Sequence, residues 1–181
     1  MADVTRRLAR WRARFAVAAA RRRVPLGYAL GGLALWFADP TPRSLAIGAA
    51  VGAVGEALRI WAAGHLEKGR EVTNTGPYAI TRHPLYAGST IMGAGLAIAA
   101  NSLAVAVLVL AYLGVTITAA IRSEEAHLTD KFGGHYPAYR EGTATPGARR
   151  FSLARAMRNK EYRALFGFLA VLALLALRLL V

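Results

Sequence analysis

The sequence predicts an all-α fold: a polytopic membrane bundle of about five transmembrane helices, N-terminus in the cytoplasm, with an amphipathic interfacial helix ahead of the first span. Three observations lead there. The chain is 55% hydrophobic with a positive mean hydropathy, yet carries a net charge of +13 over 181 residues. Basic loops between apolar spans produce that combination readily, and a soluble basic domain seldom does. Five apolar runs follow one another along the chain, and the positive charge gathers in every second gap between them. The length suits one compact bundle. The absence of cysteine excludes disulfides, thiol catalysis and zinc–thiolate sites.

Residues 1–23 hold eight arginines against one acid, Asp3, and Val4, Leu8, Trp11 and Phe15 recur at helical spacing among them. Such a stripe predicts a helix lying on an anionic leaflet. A nucleic-acid arm is the rival, disfavoured by the Trp/Phe stripe beside a membrane span, and no nucleic-acid partner is expected. A signal peptide is a further rival, but bulky Trp36 stands three residues before a cut after Ala38, so the segment is expected to be retained. The chain therefore divides into a basic arm, 1–23, and a membrane domain, 24–181.

The runs span 24–38, 44–64, 85–100, 103–121 and 165–181. The first is only about 22 Å of helix, to be lengthened by arginines reaching for the interface. Several fall short of the roughly 20 apolar residues a span needs, so tilt or local thinning is implied. Asn101-Ser102 is all that separates the third from the fourth, which forces an antiparallel hairpin. Of 23 Lys and Arg, only Arg43, Arg59 and Arg178 lie off the segments 1–23, 65–84 and 122–163. An odd number of spans puts those three segments on one side, and the positive-inside rule makes that side the cytoplasm. An inner-membrane, multi-pass protein with its loop chemistry facing the cytoplasm is expected. Ser152 is expected to cap an amphipathic helix over 153–163 that leads into the last run.

Between the second and third runs lies Gly76-Pro77-Tyr78, then Arg82-His83-Pro84-Leu85-Tyr86-Ala87-Gly88. Pro77 fixes a turn; Pro84 suits the first position of a helix and turns His83 away from helical geometry. Arg82 and His83 are thereby held at a helix N-terminus, whose free N–H groups and partial positive charge suit a carboxylate or phosphate. An interfacial loop with Arg and Tyr anchors has the same composition. In the second run, Glu56 and Arg59 share a helix face at i, i+3 and read either as a structural lock or as part of a substrate site. Gly48, Gly52 and Gly55 read as a helix-packing face, and Gly93 and Gly95 either pack or admit a ligand to the backbone. Glu124-Glu125 at the exit of the fourth run can hold hydroxyls or an ammonium, or can be a solvated charge pair. Phe132-Gly133, Tyr136 and Tyr139 supply aromatics after it. The four His are scattered, and no metal cluster, P-loop or dinucleotide fingerprint is present.

Taken as an ordered set over 56–140, these motifs resemble the integral-membrane methyltransferases of the isoprenylcysteine carboxyl methyltransferase and phospholipid N-methyltransferase group. Arg82-His83-Pro84-x-Tyr86-x-Gly88, a hydrophobic span and Glu124-Glu125 carry the resemblance, with Gly93-x-Gly95 matching the glycine pair of the phospholipid enzymes. The resemblance implies S-adenosyl-L-methionine as cofactor and a lipidic or prenylated acceptor reached from the bilayer. It implies that Tyr78, Arg82, His83, Pro84, Tyr86, Gly93, Gly95, Glu124, Glu125, Tyr136 and Tyr139 bind the cofactor. On the acceptor side, Arg59 would orient a carboxylate, or Glu56 or Glu125 would act as base for an amine. No metal is implied. A membrane sterol-type reductase using a nicotinamide cofactor, and a non-catalytic protein of the same fold, are the alternatives. Oligomeric state is not readable from the chain.

Overall fold

The computed structural model describes residues 29–133, 135–143 and 147–180; the basic arm 1–23 and the first residues of the first apolar run lie outside them. The elements are α1 (residues 29–37), α2 (Pro42–Ala63), a 3-10 turn (Gly76–Ala79), α3 (Pro84–Ala100), α4 (Leu103–Phe132), α5 (His135–Arg140), α6 (Leu153–Arg158) and α7 (Tyr162–Arg178). There is no strand among the described residues.

α2 starts where its sequence tells it to. Thr41 Oγ1 accepts from Ser44 N at 3.0 Å, Ser44 Oγ accepts from Thr41 N at 2.9 Å, and Pro42 opens the helix. The Ser44 hydroxyl also reaches Ala99 O at 3.2 Å, tying the start of α2 to the end of α3. The two helices run antiparallel in backbone contact. A methyl built on Gly48 would strike Gly95 and Ala99, one on Gly55 would strike Met92 and Gly88, and one on Gly95 would strike Gly48 and Gly52. Side chains larger than hydrogen cannot fit at these crossings. Asn101 adopts φ 50°, the left-handed residue that ends α3, and its amide donates to Asp39 O at 3.0 Å. The chain then reverses into α4, as the two-residue link requires.

α7 closes the third side. Phe168 fills the space beside Gly52, and Leu175 joins Ala38, Ala99, Ala100 and Val105 in a buried apolar cluster. At that end Arg178 donates to Ala38 O at 2.8 Å and to Trp36 O at 3.1 Å, capping α1 with the last helix of the chain. At the opposite end the loops interlock. Arg155 donates to Glu67 Oε1 at 2.7 Å and to Gly64 O at 2.6 Å, and Asn159 Nδ2 donates to both Ala63 O and Leu66 O at 2.9 Å.

α2 and α4 are long and apolar enough to cross a membrane, while α3 and α7 have 17 residues each. α4 turns Val107, Leu110 and Val115 outward, as a lipid-facing helix does. It continues unbroken for eleven residues past the apolar run, to Phe132, so the acidic pair Glu124 and Glu125 rides on a helix rather than a loop. A second difference lies after Ser152. Its side chain does cap α6, accepting from Arg155 N at 3.3 Å, but the helix expected over 153–163 breaks after Arg158. Asn159 spends its amide on the end of α2, Lys160 takes φ 62°, and α7 begins afresh at Tyr162 with Glu161 turned inward.

Two outcomes follow from this packing. Gly95→Val should lower the thermal midpoint in detergent, at a cost of about 2 kcal/mol or more, because backbone cannot yield as a side chain would. Gly114→Ala, where nothing lies within 4 Å, should leave it unchanged or slightly raised. The Arg155 hydrogen bond holds the Glu67 carboxyl below its ordinary value of 4.5. The folded state therefore favours the ionised form. This contribution to stability should be whole above about pH 4.5 and vanish as pH falls through the lower folded value, and Glu67→Gln should flatten acid unfolding there.

Candidate active site

The turn Gly76–Ala79 and the start of α3 face the end of α4 and the short α5. Gly76 takes φ 58° and lies over the His65 ring, a conformation and a clearance that glycine alone provides easily. Pro77 and Tyr78 are buried beneath it, and the Tyr139 hydroxyl donates to Tyr78 O at 2.6 Å, joining α5 to the turn. Pro84 is buried at the first position of α3, with His83 just ahead of it in a non-helical conformation (φ −130°, ψ 56°). His83 Nε2 stands 3.1 Å from Glu125 Oε1, and an Arg82 guanidinium nitrogen stands 3.8 Å from the same oxygen. The Tyr86 ring lies 5.8 Å from that of His83, and Tyr136 lies 6.3 Å from Tyr139.

Tyr136 is the most deeply buried member of this cluster. It is 2% exposed, and its hydroxyl is turned toward the Glu125 carboxylate, the acceptor it has there. Burial, with the Glu125 charge adding to it, pushes the hydroxyl up to about 12, so it stays protonated and able to donate at any physiological pH. Burial likewise raises Tyr78, with the charge of Glu124 as the next cause, and raises Tyr139. Glu125 thus sits inside the cluster and Glu124 at its exposed edge.

A second polar cluster is built around Arg59, one turn further along α3. Its Nε donates to Glu161 Oε1 at 2.6 Å, and its Nη1 reaches the Ser89 hydroxyl and Leu85 O. Glu56 Oε2 is 3.7 Å from the same Nε, too far for a hydrogen bond. Glu56 is 3% exposed, and neither of its oxygens has a hydrogen-bond partner among the described residues. The Arg59 stem passes directly over Gly88, where a methyl would strike it; this gives the glycine of the Arg82–Gly88 motif a physical reason.

The structure therefore brings together Tyr78, Arg82, His83, Pro84, Tyr86, Glu125, Tyr136 and Tyr139, with Glu124 at the rim, and joins them through the first turns of α3 to Glu56 and Arg59. It does not bring Gly93 and Gly95 there: Gly93 faces Leu113 and Val109 of α4, and Gly95 faces the α2 backbone. Both are filled by neighbouring helices. Sequence reading missed Glu161 and Ser89. An acid directly ahead of an apolar run, after the Asn159-Lys160 break, was the available signal for Glu161. A separate open groove of about 770 Å³, lined by Arg43, Ile47, Ala97, Leu103 and Leu110, lies at the other end of the bundle and touches none of these residues.

A bundle of apolar helices with a tyrosine-lined, charge-balanced cluster at one end is a helical membrane protein with a polar site at its rim. The family model described as phospholipid methyltransferase matches residues 26–135, more than half of the chain, and the protein belongs to that family. Nothing among curated proteins or solved structures matches it. Membership sets the class as a membrane methyltransferase with a lipid-type substrate. The matched region ends before Tyr136, Tyr139 and Glu161, so their place in the site rests on the fold.

Removing one hydroxyl at a time should compare the two tyrosines. Tyr136→Phe should cost no more than about 1 kcal/mol, since its hydroxyl faces Glu125 without the close geometry of a full hydrogen bond. Tyr139→Phe should cost about 1 kcal/mol, since a made bond is lost. Chemical unfolding of the two variants in the same detergent compares them.

Proposed function

We propose that this protein transfers a methyl group from S-adenosyl-L-methionine to the amine of a membrane lipid, at a site opening to the cytoplasm from a five-span bundle. The observation that carries the reading is the His83–Glu125 contact, which joins the start of α3 to the end of α4 beside the buried Tyr136 hydroxyl that faces the same carboxylate.

The residues present fit the proposed cofactor. Its carboxylate suits Arg82 and the positive end of α3, its ammonium or ribose hydroxyls suit Glu125 and Glu124, and its adenine suits the aromatic side formed by Tyr78, Tyr136 and Tyr139. His83, Pro84 and Tyr86 would line the wall between. When bound, S-adenosylmethionine supplies a sulfonium methyl open to in-line displacement, sulfur leaving as a neutral thioether. The protein's own work is then to orient, to exclude water and to handle one proton.

Glu56 is the group for that proton. A nucleophilic amine must reach the donor uncharged, and Glu56, buried without a hydrogen-bond partner, can take the proton its nitrogen loses. Arg59 is poorly placed to orient an acceptor carboxylate, because Glu161, Ser89 and Leu85 O already occupy its Nε and Nη1. Two acids already face this one guanidinium, an arrangement that suits an amine better than a further carboxylate. Surplus positive charge in the chain, eight arginines of it in 1–23, supports an anionic leaflet as the surface on which the protein works.

Glu125→Ala should abolish S-adenosylhomocysteine binding by calorimetry while the protein remains folded and monodisperse in detergent. Affinity equal to wild type would remove the acidic pair from the site. Incubating membranes with methyl-labelled S-adenosylmethionine and extracting the lipids tests the reaction itself: label in an amine-bearing phospholipid supports the reading, and NADPH binding without S-adenosylhomocysteine binding would replace it with a reductase.

A further inference from the structure

Glu161 has no counterpart in the matched family region and none in the motifs, yet it makes the shortest side-chain contact that Arg59 has to a carboxylate. Its position is expensive to build. α6 stops after six residues, Asn159 is pinned to Ala63 O and Leu66 O, and Lys160 adopts φ 62°. That break is what carries Glu161 inward, where its side chain is 8% exposed. A backbone strained into the left-handed region and held by two side-chain hydrogen bonds needs a return.

The return is visible in what Arg59 does not do. Glu56 stands three residues before it on the same helix face, the ordinary partner for an ion pair. Instead the Nε hydrogen goes to α7, the Nη1 hydrogens go to α3, and Glu56 is left at 3.7 Å with both oxygens unbonded. We infer that Glu161 is a positioning residue that sets acceptor specificity: by drawing Arg59 onto α7 and α3 it leaves the buried Glu56 carboxylate without a hydrogen bond, to be met by an ammonium-bearing headgroup. This rests on the methyltransferase reading. The charged groups around Glu56 in this arrangement are Arg59 on its own helix and Glu161 at the start of α7. Removing the charge of Glu161 should free Arg59 to pair with Glu56 and so take the acid from the acceptor.

The test uses the full-length protein in mixed micelles containing phosphatidylethanolamine, with methyl-labelled S-adenosylmethionine, and a farnesylated cysteine carboxylate as the competing acceptor class. Glu161→Gln keeps the size of the side chain and can still accept from Arg59, so a purely structural role would survive it. It should raise KM for phosphatidylethanolamine by about tenfold or more, as loss of one charged hydrogen-bonding partner does, and lower kcat as Arg59 covers the proposed base, with S-adenosylhomocysteine affinity close to wild type. Glu161→Asp should restore most of the loss. R59Q/E161Q, in which no guanidinium remains to cover Glu56, should recover affinity for phosphatidylethanolamine relative to E161Q.

A wild-type KM in E161Q overturns the inference. So does a double variant no better than the single one; if E161Q alone does not fold, R59Q/E161Q is compared with wild type, and a KM raised about tenfold there overturns the inference. A wild type that methylates the farnesylated carboxylate and not the amine overturns it too, leaving the enzyme reading intact. A wild type that binds no S-adenosylhomocysteine and labels neither acceptor overturns the enzyme reading itself.

Discussion

Backbone contact between α2 and α3 is the constraint on which the rest of the molecule depends. Gly48, Gly52 and Gly55 face Gly88, Met92, Gly95 and Ala99 so closely that no side chain stands between the helices at the crossings. In a bilayer, where apolar burial from water no longer drives helices together, such close approach is how two of them find a defined register. The register then does chemical work. It lays the Arg59 stem over Gly88 and brings its nitrogens to Leu85 O and Ser89, so a charge on α2 is solvated by the first turns of α3. The same turns begin with Arg82 and His83. One seam of small residues thus fixes both polar clusters relative to each other.

The two clusters divide their tasks by charge and by burial. At the start of α3, Arg82 and Glu125 balance, and aromatic rings surround them. Around Arg59, two acids compete for one cation, and one of them is left without a hydrogen bond. Burial is costly for charge, and an imbalance of this kind persists only when the surrounding fold over-determines it. Here the over-determination is legible: Asn159, Lys160 and the end of α2 hold Glu161 in place.

Much of this architecture could be read before any coordinates. Helical class, the positions of the apolar runs and the turn at Asn101-Ser102 all follow from hydrophobic patterning, because apolar side chains and small residues leave local marks. The Arg82–His83 stretch and Glu125 were legible as a motif, and Pro77 and Pro84 explain why their backbone is held as it is. Glu161 was not, since its importance comes from a partner 102 residues away and a helix break that an amphipathic reading of 153–163 smooths over. The glycines of α3 read either way in the sequence, as packing or as access for a ligand. Gly93 and Gly95 suggest room for a ligand in one dimension, but the space above a glycine belongs to whichever helix arrives first. Sidedness rests on charge distribution, which no contact inside the protein reports.

The continuation of α4 past its apolar stretch has a further meaning. At 30 residues the helix is about 45 Å long, against a hydrocarbon thickness of roughly 30 Å. Its acidic end therefore stands clear of the oil as a short mast, and α5 folds back from its tip. On the proposed function, a water-soluble cofactor would board at that end without wetting the bilayer, whereas a lipid acceptor would come from the side, toward Glu56. Two guests with separate doorways would then come and go in either order.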